Sequence, residues 1–195
     1  MDMNDEIRSK WDARHAEGDV AAARPCAVLE AYANLLPRAG TALDLACGLG
    51  GNAQWLASRG LETTAWDISP VAIGRLGQYA GERGLPIRAE VRDVERAPPE
   101  PERFDVIVVS YFLDCELAPA LVRALRPGGL LFYQTWTQEA VDARGPENPA
   151  FRLAPNELLE LFADLRLIAY REEGVVGDPG QGLRNEAWLV ATRNP

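Results

Sequence analysis

Three acidic residues, Asp44, Asp67 and Asp93, each lie within or just after an apolar run of the sequence. Carboxylates accept hydrogen bonds, so acids at these positions suit the hydroxyl and amino groups of a ligand. Asp67 lies nineteen residues after Gly48, which is close to the spacing between a glycine-rich turn and an acid that binds a ribose. Asp93 follows the next apolar run, within reach of an adenine amino group. Together the three acids predict a nucleoside site.

Each acid also has a simpler interpretation. An unpaired carboxylate inside an apolar strand would be costly, so Asp44 needs either backbone N–H groups or a cationic ligand as its partner. Asp67 could cap the following helix, although Ser69 suits that position better. Asp93, taken alone, could be a solvated loop residue.

The segment "ALDLACGLGGNA", residues 42–53, concentrates small residues directly after the first apolar run. Glycine adopts backbone conformations that other residues avoid, and it lets a ligand approach the main chain closely. The letters "GLGGNA" also fit the dinucleotide-binding pattern G-x-G-x-x-A. A tight strand-to-helix turn without any ligand is the alternative.

Two residues are candidates for a general base. His15 is the only histidine and shares a helix face with Trp11, while Tyr111 follows the fourth predicted strand. Histidine exchanges protons near neutral pH, and side chains at strand ends lie where α/β sheets bind ligands. The alternatives are a packed or solvated helix residue for His15 and simple packing beside Phe112 for Tyr111.

Apolar periodicity predicts the elements that position these residues. An N-terminal helix and a second helix beginning at Pro25 come first, and strands then alternate with helices. The predicted strands are residues 41–46, 61–67, 86–93, 103–112, 130–137, 166–173 and 185–193, and the later helices are residues 52–59, 69–84, 117–125 and 155–165. Such alternation predicts a parallel sheet with right-handed crossovers. The last two strands share a glycine-rich link, which predicts an antiparallel pair.

Composition restricts the class of partner. The chain has 195 residues, 47% of them hydrophobic, and a formal net charge of −9. A negative surface opposes nucleic acid and anionic membranes, so we expect a small-molecule partner, with no nucleic acid and no membrane. The three scattered cysteines form neither a disulfide framework nor a zinc site, and no metal is expected. Without a recognisable signal peptide or membrane span, the expected location is the cytoplasm.

The motifs "LDLACGLGG", "TAWDIS", "RDVE", "FDVIVVSYF" and "LRPGGLLFYQTW" occur in an order and spacing that resemble a class I S-adenosylmethionine-dependent methyltransferase. The resemblance covers residues 41–137, and the final hairpin extends it nearly to the end. Ala46 replaces the first glycine of the usual motif. The segments "WDARH" and "ENPAFRLAPNELLELF" are further similar to the small tellurite-resistance and thiopurine-type methyltransferases, in which a tyrosine usually stands in place of His15.

The resemblance implies an α/β, Rossmann-like fold: a seven-stranded, mostly parallel sheet with an antiparallel last strand, helices on both faces and an N-terminal helical cap. We expect a single domain over residues 1–195, with residues 1–38 as the cap over the cofactor site and residues 39–195 as the core. The implied activity is methyl transfer from S-adenosylmethionine to a small molecule, with a soft nucleophile such as a thiol or a chalcogen oxyanion favoured. The alternatives are a nicotinamide-dependent oxidoreductase and a non-catalytic sensor of the cofactor.

The resemblance also implies a set of site residues. Asp67 would hold the ribose hydroxyls and Asp93 the adenine amino group, and Asp44 would lie near the methionine part. The implied cofactor-binding residues are Trp11, Arg14, Asp44, Ala46, Cys47, Gly48, Asn52, Asp67, Ile68, Asp93, Val94 and Ser110. Candidate substrate-binding residues are Tyr111, Trp136, Arg144, Arg152 and Arg184, since aromatic rings could wall a flat substrate and arginines could bind an anionic one.

Overall fold

The computed structural model describes residues 3–195, with side chains from residue 5 onwards. Its centre is a seven-stranded sheet in the order β3-β2-β1-β4-β5-β7-β6. The strands are β1 Thr41–Leu45, β2 Glu62–Asp67, β3 Ile87–Val91, β4 Phe104–Ser110, β5 Leu125–Trp136, β6 Arg166–Glu172 and β7 Glu186–Thr192.

Strand directions agree with the sequence prediction. The neighbouring pairs among β1 to β5 are parallel, whereas β7 runs antiparallel to both β5 and β6. Parallel neighbours need crossover connections, which the intervening helices and loops provide, while a link between antiparallel strands needs no helix. The expected mostly parallel sheet with an antiparallel last strand is confirmed.

The described helices are α1 Met3–Ala16, α2 Ala27–Ala31, α3 Gly51–Ser58, α4 Pro70–Arg83, α5 Ala118–Ala124 and α6 Glu157–Leu161. The start of α4 follows the sequence prediction, because the Ser69 hydroxyl accepts a hydrogen bond from the Ala72 N–H and Pro70 occupies the first turn. Gly84 ends α4 with a positive φ of 62°. Along residues 3–195, the helices lack the combination of length and apolarity that crossing a bilayer requires.

Three elements differ from their predicted bounds by more than two residues at one end. The second and last predicted helices contain only five α-helical residues each, α2 and α6. Tyr32 leaves the helical conformation after α2, and Asn156 precedes α6 with a left-handed φ of 65°. Asparagine tolerates that conformation, and side-chain periodicity does not reveal it. β5 begins five residues earlier than predicted, with a register irregularity opposite the start of β4.

The core lies on both faces of the central strands. Residues 106–109 of β4 are fully buried, as expected for a parallel strand covered on both sides. On one face Trp66 meets Phe104 edge to face, with ring centroids 5.8 Å apart. This packing fixes the central strands, whose carboxyl ends carry the site.

The strand order reverses its direction of winding between β1 and β4. β1 pairs with β2 on one side and with β4 on the other. In open α/β sheets, ligands bind at the carboxyl ends of the strands at such a reversal. Asp44 in β1, Asp67 at the end of β2 and Ser110 at the end of β4 all stand at this edge.

Candidate functional site

Asp44 is fully buried next to the end of β1. Its two carboxylate oxygens accept hydrogen bonds from the Asn52 side-chain amide, at 3.1 Å, and from the Ala53 N–H, at 2.9 Å. Burial raises the pKa of Asp44 to about 7, although both hydrogen bonds act in the opposite direction. The sequence left two possible partners for Asp44, backbone N–H groups or a cationic ligand. The first turn of α3 provides the backbone N–H.

Asn52 joins three parts of the chain at this edge. Its amide nitrogen also donates to the Ser110 Oγ, at 2.9 Å, and its amide oxygen accepts from the Cys26 N–H, at 2.8 Å. All the polar atoms of the Asn52 side chain are thus engaged. Asn52 therefore holds the ends of β1 and β4 next to the segment before α2, at the bottom of the site.

The loop between β1 and α3 has an unusual backbone. Ala46, Gly48 and Gly50 have positive φ angles of 54°, 53° and 76°. The Gly48 N–H donates to one oxygen of the Asp67 carboxylate at 2.8 Å, and the Ser69 N–H donates to the other at 2.9 Å. Asp67 therefore ties the loop to the start of α4.

Packing of the chain on itself accounts for two of the loop glycines. A Cβ at Gly51 would lie 2.1 Å from the Arg24 carbonyl oxygen, and a Cβ at Gly50 would lie 2.5 Å from a Leu76 methyl group. From the sequence we attributed these small residues to the approach of a ligand. In the structure, the segment before α2 and the side of α4 already require glycine there.

Helix α1 lies over the same loop. Its Asp12 carboxylate accepts hydrogen bonds from the Ser69 hydroxyl and the Val71 N–H at the start of α4. The Arg75 guanidinium donates to two carbonyls at the end of α1, including that of His15 at 2.5 Å. Two polar attachments thus hold α1 in place.

His15 is the residue of α1 that faces the loop. Its imidazole stacks on Trp11 with centroids 5.6 Å apart, and a Cβ at Gly48 would lie 3.1 Å from its Cε1 atom. Partial burial lowers the pKa of His15 despite the nearby negative charge of Asp67. The Arg14 guanidinium lies 5.5 Å from the Trp11 ring. The structure thus brings Trp11, Arg14 and His15 together beside the loop.

Asp93 lies two residues beyond the end of β3, where Val91 is the strand partner of Asp67. One oxygen of its carboxylate accepts hydrogen bonds from the Glu95 and Arg96 N–H groups, at 3.2 and 3.3 Å. Val94, which follows it, is buried. Asp93 therefore stands at the same edge of the sheet as Asp67, in a turn that fixes its side chain.

A cavity of about 400 Å³ opens at the carboxyl ends of β1 and β4, within the range of small-molecule sites. It is lined by Arg24, Pro25, Cys26, Ala27, Glu30, Cys47, Gly51, Asn52, Ser110 and Tyr111. Four of these, Cys47, Asn52, Ser110 and Tyr111, are site residues that the sequence predicted. Burial raises the pKa of Cys26 to about 12, so this thiol is neutral at physiological pH.

A polar network borders the cavity at Tyr111. The phenol donates to the Glu186 carboxylate at 3.2 Å, and the Gln134 amide donates to the same carboxylate oxygen at 2.6 Å. The Tyr111 and Trp136 rings are tilted against each other at a centroid distance of 5.1 Å. Two of the predicted substrate-binding residues are therefore adjacent, and Tyr111 lines the cavity while Trp136 packs behind it.

Comparisons with known proteins agree with this geometry. A methyltransferase domain family matches residues 42–129. The chain is 31% identical over 169 residues to a ubiquinone biosynthesis O-methyltransferase of Methylocella silvestris, with 76% of this chain and 64% of that protein covered. It is 27% identical over 179 residues to a probable S-adenosyl-L-methionine-dependent methyltransferase, TehB, of Haemophilus influenzae, with 86% and 57% covered. The chain thus spans about three fifths of the length of these two relatives.

Solved structures share the fold. The structure of an enzyme studied for the conversion of a disulfide bond into a thioacetal group during echinomycin biosynthesis superposes with a TM-score of 0.70, at 26% identity, covering 96% of this chain and 92% of that chain. The structure of TehB from Haemophilus influenzae gives a TM-score of 0.68 at 24% identity, covering 86% and 61%. The chain carries a methyltransferase domain and resembles the class I S-adenosylmethionine-dependent methyltransferases.

The site has side chains that fit S-adenosylmethionine, the cofactor that the resemblance implies. Asp44 and Asp67 are both buried, and among the described residues no arginine or lysine forms a salt bridge with either. Two buried carboxylates without a cationic side chain suit a ligand that carries positive charge. The carboxylate at the end of β2 also suits a ribose diol.

The three arginines expected to bind substrate hold loops in the structure. Arg152 donates to three backbone carbonyls in the segment 137–146, and Arg184 donates to four carbonyls between residues 174 and 181. Arg144 pairs with Asp142 at 3.0 Å. In the described part of the chain these arginines are not among the cavity-lining residues, and a contact with substrate stays a prediction.

Several residues of the site are not among those that the sequence predicts. Gln134 and Glu186 are polar residues inside otherwise apolar strands, a signal that could have singled them out. Arg24, Cys26 and Glu30 line the cavity from the segment around α2, and no pattern in the sequence connects that segment with the ends of β1 and β4.

Proposed function

We propose that this methyltransferase transfers the methyl group of S-adenosylmethionine to a small-molecule acceptor bound in the cavity beside Tyr111. The observation that carries the proposal is the pair of buried carboxylates, Asp44 and Asp67, on either side of the loop at residues 46–50. Both stand at the edge of the sheet where the cavity opens, beside its lining residues Cys47 and Asn52, although neither carboxylate lines the cavity itself. A soft nucleophile, such as a thiol or a chalcogen oxyanion, is the proposed acceptor.

We assign the cofactor-binding residues by their place along this edge. Asp67 accepts hydrogen bonds from the ribose hydroxyls, and half-buried Ile68 packs on the adenine. Asp93 accepts from the adenine amino group, and the Val94 N–H donates to a ring nitrogen. The remaining proposed contacts, near the methionine part or from the covering helix, are Asp44, Ala46, Cys47, Gly48, Asn52, Ser110, Trp11 and Arg14.

The cap is part of the same proposal. We assign residues 1–38 to a cap over the cofactor site and residues 39–195 to the core of a single domain. The attachment of α1 to α4 through Asp12 and Arg75 supports this assignment. A cap over the loop excludes water from the site, which favours methyl transfer over side reactions.

The bound cofactor supplies an electrophilic methyl group on a positively charged sulfur. The chain's own residues contribute alignment and a dry site, because holding two reactants in line removes much of the entropic cost of their reaction. Asn52 and Asp44 fix the floor of the site, and the Tyr111 and Trp136 rings form a wall against which a flat or apolar acceptor packs. Phe151 is exposed in the segment that follows β5, and we assign it to the same wall.

Sulfur chemistry among the similar structures supports a soft acceptor. The enzyme with the TM-score of 0.70 acts where a disulfide becomes a thioacetal, a change centred on sulfur. The ubiquinone biosynthesis relative is an O-methyltransferase, so an oxygen acceptor is the competing outcome. The net charge of −9 and the cavity volume of about 400 Å³ favour a small molecule over nucleic acid or a membrane.

The experiment begins with cofactor binding. We expect calorimetry to show binding of S-adenosylhomocysteine and none of NADH, and binding of NADH alone would contradict the proposal. Asp67→Ala should weaken the affinity for S-adenosylhomocysteine by about 1–3 kcal/mol, since a buried acceptor is lost. Asp164→Ala, which removes an exposed carboxylate after α6, is the matched control.

Turnover is tested with thiols, selenite, tellurite, catechols and small acids by following release of S-adenosylhomocysteine. Methylation of a thiol or a chalcogen oxyanion supports the proposal as stated, and methylation of a catechol alone shifts the acceptor atom to oxygen. Cofactor binding with no methylated acceptor would instead favour a sensor of the cofactor.

A further inference from the structure

Tyr111, Gln134 and Glu186 form a connected network between the cavity and the interior of the sheet. The Gln134 amide nitrogen donates to the Glu186 Oε2 at 2.6 Å and to the Tyr111 phenol oxygen at 3.3 Å, and its amide oxygen accepts from the Val28 N–H at 2.9 Å. The phenol in turn donates to the same Glu186 oxygen. Gln134 is fully engaged and fixes the geometry of the other two side chains.

Tyr111 is held in a conformation that a bulky side chain rarely adopts. Its φ is 56°, in the left-handed region, and such strain persists where the surroundings over-determine it and is concentrated at functional sites. The Tyr111 N–H donates to the Gln134 carbonyl at 2.8 Å, and Trp136 packs against the ring. The strained backbone turns the phenol toward Glu186 while the residue still lines the cavity.

We propose that Glu186, acting through Tyr111, takes the proton that a neutral thiol acceptor loses when it is methylated. The inference rests on the proposed function and deepens it, because it selects a protic acceptor over an oxyanion. Glu186 is buried on β7 and is reached from the cavity by way of the phenol. The methyl-transfer step itself provides no acceptor for that proton. The Glu186 carboxylate provides one.

The proposed step is balanced in atoms and charge. A lone pair of the thiol sulfur forms the new bond to the methyl carbon, and the pair of the breaking carbon–sulfur bond stays on the departing sulfur, which becomes neutral. The thiol proton passes to the Tyr111 oxygen as the phenol proton passes to Glu186 Oε2. The phenol oxygen has a lone pair left for the thiol, since one hydrogen bond from Gln134 occupies the other.

Few other titrating groups face Tyr111. Glu186 approaches it from β7 and the Cys26 thiol from the segment before α2, while Arg24 and Glu30 line the same cavity. Burial, and then the charge of Glu186, raise the pKa of Tyr111 well above its usual range. The phenol is therefore neutral at physiological pH and relays a proton to Glu186 instead of serving as a free base.

Glu186→Gln tests the relay with little change in shape. Both donors converge on the single oxygen Oε2, and the amide oxygen of glutamine can accept both. The substitution therefore removes the proton acceptor and keeps the hydrogen bonds. Tyr111→Phe removes the phenol oxygen, and Tyr170→Phe is the matched control, because Tyr170 donates to Glu172 in a second tyrosine–glutamate pair away from the cavity.

The experiment compares two acceptors between about pH 6 and 7.5, where the small thiolate fraction of an alkyl thiol rises about tenfold per pH unit. One is an alkyl thiol that is mostly neutral, and the other is a nitro-substituted aryl thiol that is fully ionised. In Glu186→Gln and Tyr111→Phe, we expect kcat/KM for the alkyl thiol to fall about 10²-fold relative to the aryl thiol. The residual rate should rise about tenfold per pH unit with the thiolate fraction, whereas the wild type and Tyr170→Phe vary little.

A second measurement needs no turnover. Spectrophotometric titration of the phenols, corrected with Tyr111→Phe, should show that the pKa of Tyr111 falls in Glu186→Gln. An unchanged pKa of Tyr111 in Glu186→Gln, or an equal loss of kcat/KM for both thiols, would overturn the relay. Methylation of selenite, tellurite or a catechol, but of neither thiol, would also overturn the relay and leave the proposed function standing. Failure of the wild type to bind S-adenosylhomocysteine overturns the proposed function instead.

Discussion

The imidazole of His15 lies against Gly48, with its Cε1 atom 3.1 Å from the place that a Cβ of Gly48 would take. The Gly48 N–H is bonded to Asp67, so helix α1 stands directly over the carboxylate that we assign to the ribose. A nucleoside bound at Asp67, as we propose, would therefore lie under α1. Access to the site then depends on how firmly α1 is attached to α4.

Asp12→Ala is expected to loosen that attachment. The substitution removes an acceptor for the Ser69 hydroxyl and the Val71 N–H at the positive end of α4. Loss of such a cap costs about 1 kcal/mol of unfolding free energy, measurable by urea denaturation. Hydrogen exchange of α1 should become faster. Asp5→Ala, which removes an exposed partner of Arg8 on the same helix, is the control, and equal effects of the two would show that Asp12 is not the attachment.

The sheet could be predicted because its signals are local. The uninterrupted apolar centre of β4 and the cap formed by Ser69 each follow from side-chain chemistry over a few residues, and both agree with the structure. The shortening of α6 could not be predicted in this way. It depends on the left-handed conformation of Asn156 before the helix and on the non-helical conformation of Phe162 after it, and neither changes the apolar spacing.

The residues of the candidate site differ in the same way, because only some of them have a local signal in the sequence. Asp44 and Asp67 were found because an acid in or after an apolar strand is conspicuous. Glu186 was not predicted, since its partner Tyr111 lies 75 residues away in sequence and the two meet only through the pairing of β4 with β5 and of β5 with β7. Arg184 was predicted by its charge, but its donors are taken up by backbone carbonyls that no sequence pattern reveals.

Ala46→Gly is expected to stabilise the protein. Ala46 has a φ of 54°, and a left-handed conformation costs a residue with a Cβ about 1–2 kcal/mol. Glycine avoids that cost but gains flexibility in the unfolded chain, which offsets about 0.4–1 kcal/mol. We expect a net gain of about 0.5–1 kcal/mol in unfolding free energy by urea denaturation. Ala57→Gly in α3 should lose about 1 kcal/mol, and a loss at Ala46 as well would contradict the strain.

Gly51→Ala and Gly74→Ala are expected to have opposite effects. A Cβ at Gly51 would meet the Arg24 carbonyl oxygen at 2.1 Å, and that oxygen belongs to backbone that cannot simply rotate away. A Cβ at Gly74, inside α4, would meet nothing within 4 Å. Gly74→Ala should therefore raise the unfolding free energy by about 0.5–1 kcal/mol.

For Gly51→Ala we expect a loss of at least about 1–3 kcal/mol, as for other overpacked positions. The segment around Arg24 also lines the cavity, so acceptor binding should weaken with it. Both variants are compared by thermal and urea unfolding. Equal stabilities would mean that the segment before α2 shifts freely, and the cavity lining described above would then not be fixed.

Asp44→Asn is expected to remove a pH dependence of stability. Burial raises the pKa of Asp44 from 3.8 to about 7 in the folded protein. Between these values the folded carboxyl keeps its proton while the unfolded one loses it, so the folded state binds more protons. The contribution of Asp44 therefore makes stability fall as pH rises from about 4 to 7, and it is constant above pH 7.

The difference between the wild type and Asp44→Asn carries the effect. From pH 5 to pH 8 the wild type should lose about 2–3 kcal/mol more than the variant in urea unfolding, while Asp164→Asn should behave as the wild type does. The amide also faces the Asn52 amide, which lowers stability at every pH and leaves this difference intact. An identical slope in wild type and Asp44→Asn would place the Asp44 pKa near its ordinary value.

The same titration should distinguish the cofactor from its product. An ionised Asp44 attracts the positively charged sulfur of S-adenosylmethionine, which S-adenosylhomocysteine lacks. The affinity for S-adenosylmethionine should therefore rise more steeply between pH 6 and pH 8 than the affinity for S-adenosylhomocysteine, and calorimetry in two buffers should show proton release on binding. In Asp44→Asn the two ligands should have the same pH dependence. Parallel profiles in the wild type would show that the Asp44 carboxylate does not face the sulfonium.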